Sequence, residues 1–106
     1  MGCPMIEEVE LVARTSSWKG SAETLARWAE HAERQVKPFV AALPGNVGAV
    51  FLINRESGTG LTLTLWESEE AAAETDRSAE QSRASTVEAT GIELVERGRW
   101  EVVARL

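Results

Sequence analysis

The chain has 106 residues, 43 % of them apolar and 26 % charged, and a formal net charge of −6. That balance suits one globular domain over residues 1–106. It excludes nucleic acid, which demands clustered Lys and Arg, and docking on anionic membrane surfaces.

No apolar run approaches the ~20 residues that span a bilayer. The opening MGCPMIEEVE lacks a basic region followed by an apolar one, so no signal peptide is expected. Cys3 is the only cysteine and His31 the only histidine, so one chain cannot assemble a Cys/His zinc site and no metal is expected. A lone thiol suits a reducing cytoplasm. Four tryptophans and no tyrosine are present. A mechanism that needs a phenol must find it on the substrate.

In chain order, IEEVELVAR at 6–14 predicts a first strand. Val9, Leu11 and Ala13 share one face; Glu8, Glu10, Val12 and Arg14 share the other. TSSWKG at 15–20 predicts a loop carrying Trp18. Residues 21–43 predict a helix with Ser21 as N-cap and Glu23 in its first turn. Leu25, Trp28, Ala29, Ala32, Val36, Phe39, Val40 and Leu43 form its apolar stripe. His31 lies on the polar flank beside Trp28. Pro38 predicts a kink or break near Val36 or Lys37. Pro44 and Gly45 stop the helix.

VGAVFLINR at 47–55 is nearly all apolar and predicts a strand buried on both faces, with Asn54 flanking the following turn. After the turn at 57–60 comes LTLTLWESEE at 61–70. Its alternation sends Leu61, Leu63 and Leu65 one way and Thr62, Thr64 and Trp66 the other. The two strands make a hairpin. Ser68 then caps a helix whose first turn holds Glu69 and Glu70, where negative charge suits the dipole.

That helix, over 68–89, turns Ala72, Thr75, Ala79 and Ser82 inward, and none is large. Either it packs very close to the sheet or it leaves a void that something else fills. Gly91 ends it. Residues 92–106 predict a last strand, with a bulge or bend at Gly98 and Trp100 facing the core or a subunit seam.

The order strand, helix, strand, strand, helix, strand is the ferredoxin-like βαββαβ arrangement, a four-stranded antiparallel sheet with both helices on one face. The other face carries apolar residues with no further chain to cover it. A second copy is the expected cover, which makes a homodimer.

Leu43-Pro44-Gly45 before the second strand, the LTLTLWESEE junction and the closing RGRWEVVARL resemble the antibiotic biosynthesis monooxygenase-like family of the dimeric α+β barrel superfamily. The resemblance implies two sheets closing into a barrel, with a pocket in each subunit between sheet and helices. Some members oxidise polycyclic phenols to quinones with molecular oxygen and neither metal nor flavin. A tryptophan at the end of their third strand lines the pocket, and Trp66 matches it. Members that cleave haem use an Asn on the first strand and a His on the second helix. Both are missing here, so haem cleavage is not expected.

The candidate site is thus Trp66 as the catalytic wall, with Thr62, Thr64, Trp28, Arg77 and Arg83 binding substrate. Trp66 can stack on a flat ring and the arginines can supply positive charge. The expected function is a cofactor-independent monooxygenase acting on a flat hydrophobic or phenolic small molecule. The alternative is a non-catalytic dimeric small-molecule-binding protein of the same fold.

Overall fold

The first strand lies later than its sequence pattern suggests. A computed structural model describes residues 10–106. There β1 spans Val12–Lys19, so the predicted loop is its second half. Ser and Thr favour turns in isolation. Here Ser16 pairs with Thr62 on one side and Arg97 on the other, and Trp18 pairs with Gly60 and Leu94. A ladder on both edges overrides local turn preference. The predicted start at 6–9 and Cys3 lie outside the described residues.

Helix α1 (Ala22–His31) starts as expected, with Ser21 Oγ accepting the Thr24 N–H. A π-helical turn, Ala32–Val36, leads into α2 (Lys37–Ala41). Pro38 therefore does not end the helix. Proline has no N–H to offer, and a wider turn immediately before it absorbs the misfit.

Strands β2 (Asn46–Asn54) and β3 (Thr59–Trp66) form the hairpin, and Asn54 Oδ1 accepts the Ser57 N–H in its turn. The sheet order is β2-β3-β1-β4, all neighbours antiparallel. β2 is thus an edge strand and is not buried on both faces: Val47, Val50 and Leu52 are exposed.

The second helix is divided at Thr75 into α3 (Glu69–Glu74) and α4 (Asp76–Thr90). Ser68 caps α3 through the Ala71 N–H. Thr75 Oγ1 donates back to the Ala71 and Ala72 carbonyls, a side-chain bond that competes with helix continuation. Gly91, at φ 78°, closes α4 in the left-handed conformation that favours glycine.

β4 covers only Glu93–Glu101. Its irregularity lies at Val95, skipped between the pairs Ser17–Glu96 and Trp18–Leu94, not at Gly98. Gly98 serves a different end. A Cβ there would meet Trp100 Nε1 at 2.6 Å and Thr15 Oγ1 at 2.7 Å, so only glycine lets that indole reach across to Thr15.

The helices cover one sheet face. Two apolar clusters sit beneath them: Trp18, Leu25, Trp28 and Ile92, and Val12, Trp66 and Ala72. The reverse face leaves Val50, Leu52, Leu61 and Trp100 exposed at 46, 48, 36 and 59 %. Trp100 therefore faces away from the helix-covered core. Among the described residues, no helix is long and apolar enough to cross a membrane.

Candidate functional site

Between the two apolar clusters lies a hollow. Its sheet wall carries Arg14, Ser16 and Trp18 from β1 and Thr62, Thr64 and Trp66 from β3. Ala79, Ser82, Arg83 and Thr86 of α4 roof it. Trp28, Val36, Phe39 and Val40 close it from the first helical segment. The strand alternation puts these six residues, and Phe51 of β2 beside Thr62, on one face, as the pairs Arg14–Thr64 and Ser16–Thr62 require.

The hollow has a volume of about 50 Å³. One water needs roughly 10–15 Å³ on that measure, and a benzene-binding void has about 150 Å³. A fused ring therefore needs more room. A wider cleft of about 590 Å³ shares Val36, Phe39 and Ser82 with the hollow and leads out between the π-helical turn and α4. His31, Gln35, Gln81 and Ser85 form its rim.

The small inner face of the second helix does two things along its length. Ala72 and Thr75 are buried flush on the sheet. Ala79 and Ser82, further along, border empty space.

Trp66 is fully buried. Its Nε1 donates to Thr64 Oγ1 at 2.8 Å, and Thr64 Oγ1 donates to the Arg14 carbonyl at 3.4 Å. The Arg14 guanidinium lies 4.8 Å from the ring centroid, a cation–π contact. Trp18 Nε1 donates to Thr62 Oγ1 at 3.1 Å, and the Trp18 and Trp28 rings meet at 6.0 Å, tilted by 48°. The two threonines thus anchor the two indoles.

Arg14 Nη2 donates to the Ala72 carbonyl, Thr75 Oγ1 and Asp76 Oδ1, the last at 2.8 Å. Burial pulls this guanidinium below its usual value, while Asp76 pushes it back up. Burial alone would raise the Asp76 carboxyl. Hydrogen bonds from Arg99 and Arg14, with their charge, hold it below its ordinary value. Arg83 Nη1 donates to Ser16 Oγ at 3.3 Å, and Nη2 to Glu80 at 3.0 Å. Glu80 also pairs with Arg97, and the Arg83 hydrogen bond leads in holding its carboxyl low. Arg83 Nε is buried and has no partner among the described residues.

No protein-family model and no curated protein matches the chain. Solved structures do. The ActVA-Orf6 monooxygenase of Streptomyces coelicolor, crystallised with nanaomycin D, is 18 % identical, with a TM-score of 0.66 over 93 % of this chain and 90 % of its own. SnoaB, a cofactor-independent oxygenase of Streptomyces nogalater, is 19 % identical, with a TM-score of 0.57 over 92 % and 95 %. A proposed antibiotic biosynthesis monooxygenase of Bordetella bronchiseptica is 13 % identical, with a TM-score of 0.67 over 90 % and 99 %. The chain has the antibiotic biosynthesis monooxygenase-like fold.

On this monooxygenase-like fold, Thr62, Thr64, Trp66, Trp28 and Arg83 come together around one hollow. Arg77 does not; it is exposed on α4 and lies outside the hollow. His31 stands at the rim of the outer cleft. Ser16 and Trp18 are lining residues that the predicted loop concealed, and Arg14, on the predicted first strand, is a third. Their signal was there in the period-two spacing of Arg14, Ser16 and Trp18. Among the described residues, no carboxylate, histidine or cysteine lines the hollow.

Proposed function

We propose that the chain is a cofactor-independent monooxygenase acting on a flat hydrophobic or phenolic small molecule, working as a homodimer in the cytoplasm. The observation that carries this reading is a hollow bordered by three indoles, Trp18, Trp28 and Trp66, on a fold shared with two oxygenases. The hollow must widen to admit a ring; an electron-rich ring held there is shielded from water and can pass an electron to oxygen. For an anthrone, one oxygen atom becomes the new ring carbonyl and the other leaves as water with the two hydrogens of the methylene.

Oxygen uptake with anthrone under air tests the reading. One oxygen consumed per quinone formed is the expected result, with slower turnover in a folded Trp66→Phe variant. Unchanged turnover in that variant removes Trp66 from the mechanism.

One observation favours a second reading, a non-catalytic binder. Nothing lining the hollow is a base at neutral pH. Tight ligand binding without oxygen uptake would select it. In either case the exposed apolar sheet face is the surface on which a second copy docks.

A further inference from the structure

We infer that Phe39 gates the hollow: its ring, with Val36, swings aside about the π-helical turn and Pro38 and lets a flat molecule pass inward from the outer cleft. The inference rests on the small-molecule reading above and adds the route of entry and the residue that controls it.

The hollow holds about 50 Å³ and the cleft outside it about 590 Å³. A void that takes benzene measures about 150 Å³, so a wall must move before any ring enters. Val36, Phe39 and Ser82 border both spaces and form the partition between them. Phe39 is 41 % exposed, so its ring loses little burial by moving further into the cleft.

The other walls are tied down. Ladders fix the sheet, and α4 is joined to it by Arg83 on Ser16 and by Asp76 and Glu80 on Arg99 and Arg97. Buried Leu25 and Trp28 hold α1, and Arg27 Nε donates to the Thr90 carbonyl at the end of α4. Between Glu33 and Phe39 the charged side chains pair only along their own helical segment, Lys37 with Glu33 and Arg34 with Glu30. Among the described residues, no side-chain hydrogen bond or ion pair from this stretch reaches the sheet or α4. Pro38 has no N–H, so a helical hydrogen bond is missing immediately before Phe39. Buried Ala32 and Val40 pin the two ends, which leaves the stretch between them as the unit that moves. The opposite approach is held shut. A cleft of about 390 Å³ on the β4 side shares Arg14 and Arg83 with the hollow. Its lining residues are joined by the pairs Arg14–Asp76, Arg83–Glu80, Arg97–Glu80 and Arg99–Asp76. Opening there breaks charge-assisted bonds, and opening at Phe39 breaks none.

The test mixes the whole chain with 1-aminoanthracene, a flat uncharged fluorophore, in a stopped-flow instrument and follows tryptophan quenching. In the wild-type protein the observed rate should level off as ligand is raised, because opening precedes entry. Phe39→Ala should bind at least about ten-fold faster, with a rate that stays linear in ligand. Arg97→Ala, which loosens the β4 side, should leave the rate unchanged. If Phe39→Ala does not fold, Phe39→Leu replaces it, with a smaller increase expected. Binding by the Phe39 variant alone also supports the gate. A Phe39 variant whose rate stays within about two-fold of wild type, or a faster rate in Arg97→Ala only, overturns the gate but leaves the hollow as a ligand site. Failure of wild type and Phe39 variant alike to bind overturns the hollow as a ligand site as well.

Discussion

The sheet face under the helices carries Arg14, Ser16, Thr62 and Thr64, while the face turned to solvent carries Val50, Leu52, Leu61 and Trp100. Polar groups are thus covered and apolar ones exposed. The covered face is stable because nearly every polar atom there has a partner, and because three of the four tryptophans supply bulk between them. The exposed face has no such internal solution. Its apolar surface gains only when another surface covers it, at about 25 cal/mol per Å². The proposed function on the first face and the proposed association on the second are therefore separable by mutation.

The largest effect should come from Trp66→Ala, which empties the covered face. A loss of about 4 kcal/mol in urea unfolding is expected, as for other buried tryptophans. Arg14→Met comes next. It strips the Ala72 carbonyl and Thr75 of their charged donor and should cost about 3 kcal/mol by the same measurement. Thr64→Val keeps the shape but unpairs the Trp66 N–H, for a loss of about 2 kcal/mol.

On the other face, Leu52→Glu should leave the fold intact and sever association. Light scattering should then report a monomer near 11.6 kDa. An unchanged mass would show that this face is not the seam. The smallest effect is in acid. Asp76 and Glu80 have depressed folded-state values, so their stabilisation is complete above the ordinary carboxylate range. It is lost as pH falls through that range toward the lower folded values. The urea midpoint should drop between about pH 6 and about pH 3. Asp76→Asn should flatten that drop.

Much of this was legible beforehand where local chemistry is self-sufficient. Ser21 and Ser68 cap their helices, Gly91 ends α4, and the threonine–leucine alternation of β3 places Thr62, Thr64 and Trp66 together. The misread segments are those where a distant partner decides. The TSSWK stretch became strand because two neighbours hydrogen-bond it. The second helix divides at Thr75, where the Thr75 side chain and Arg14, 61 residues away, engage its carbonyls. Arg77 and Arg83 looked alike as helix charges. Only the azimuth of α4 over the sheet turned Arg83 inward and left Arg77 in solvent.

By itself the sequence determined the order of elements, their caps and the alternation of β3, because these depend on contacts within a few residues. The tertiary structure alone decided that the second helix lies flush at Ala72 and stands off at Ala79. It also decided that Arg14 is buried against Trp66, and that Arg83 lines the hollow while Arg77 does not. Such features arise from the separation between packed layers. That spacing is the compromise of all the side chains in the interface, and no local stretch encodes it.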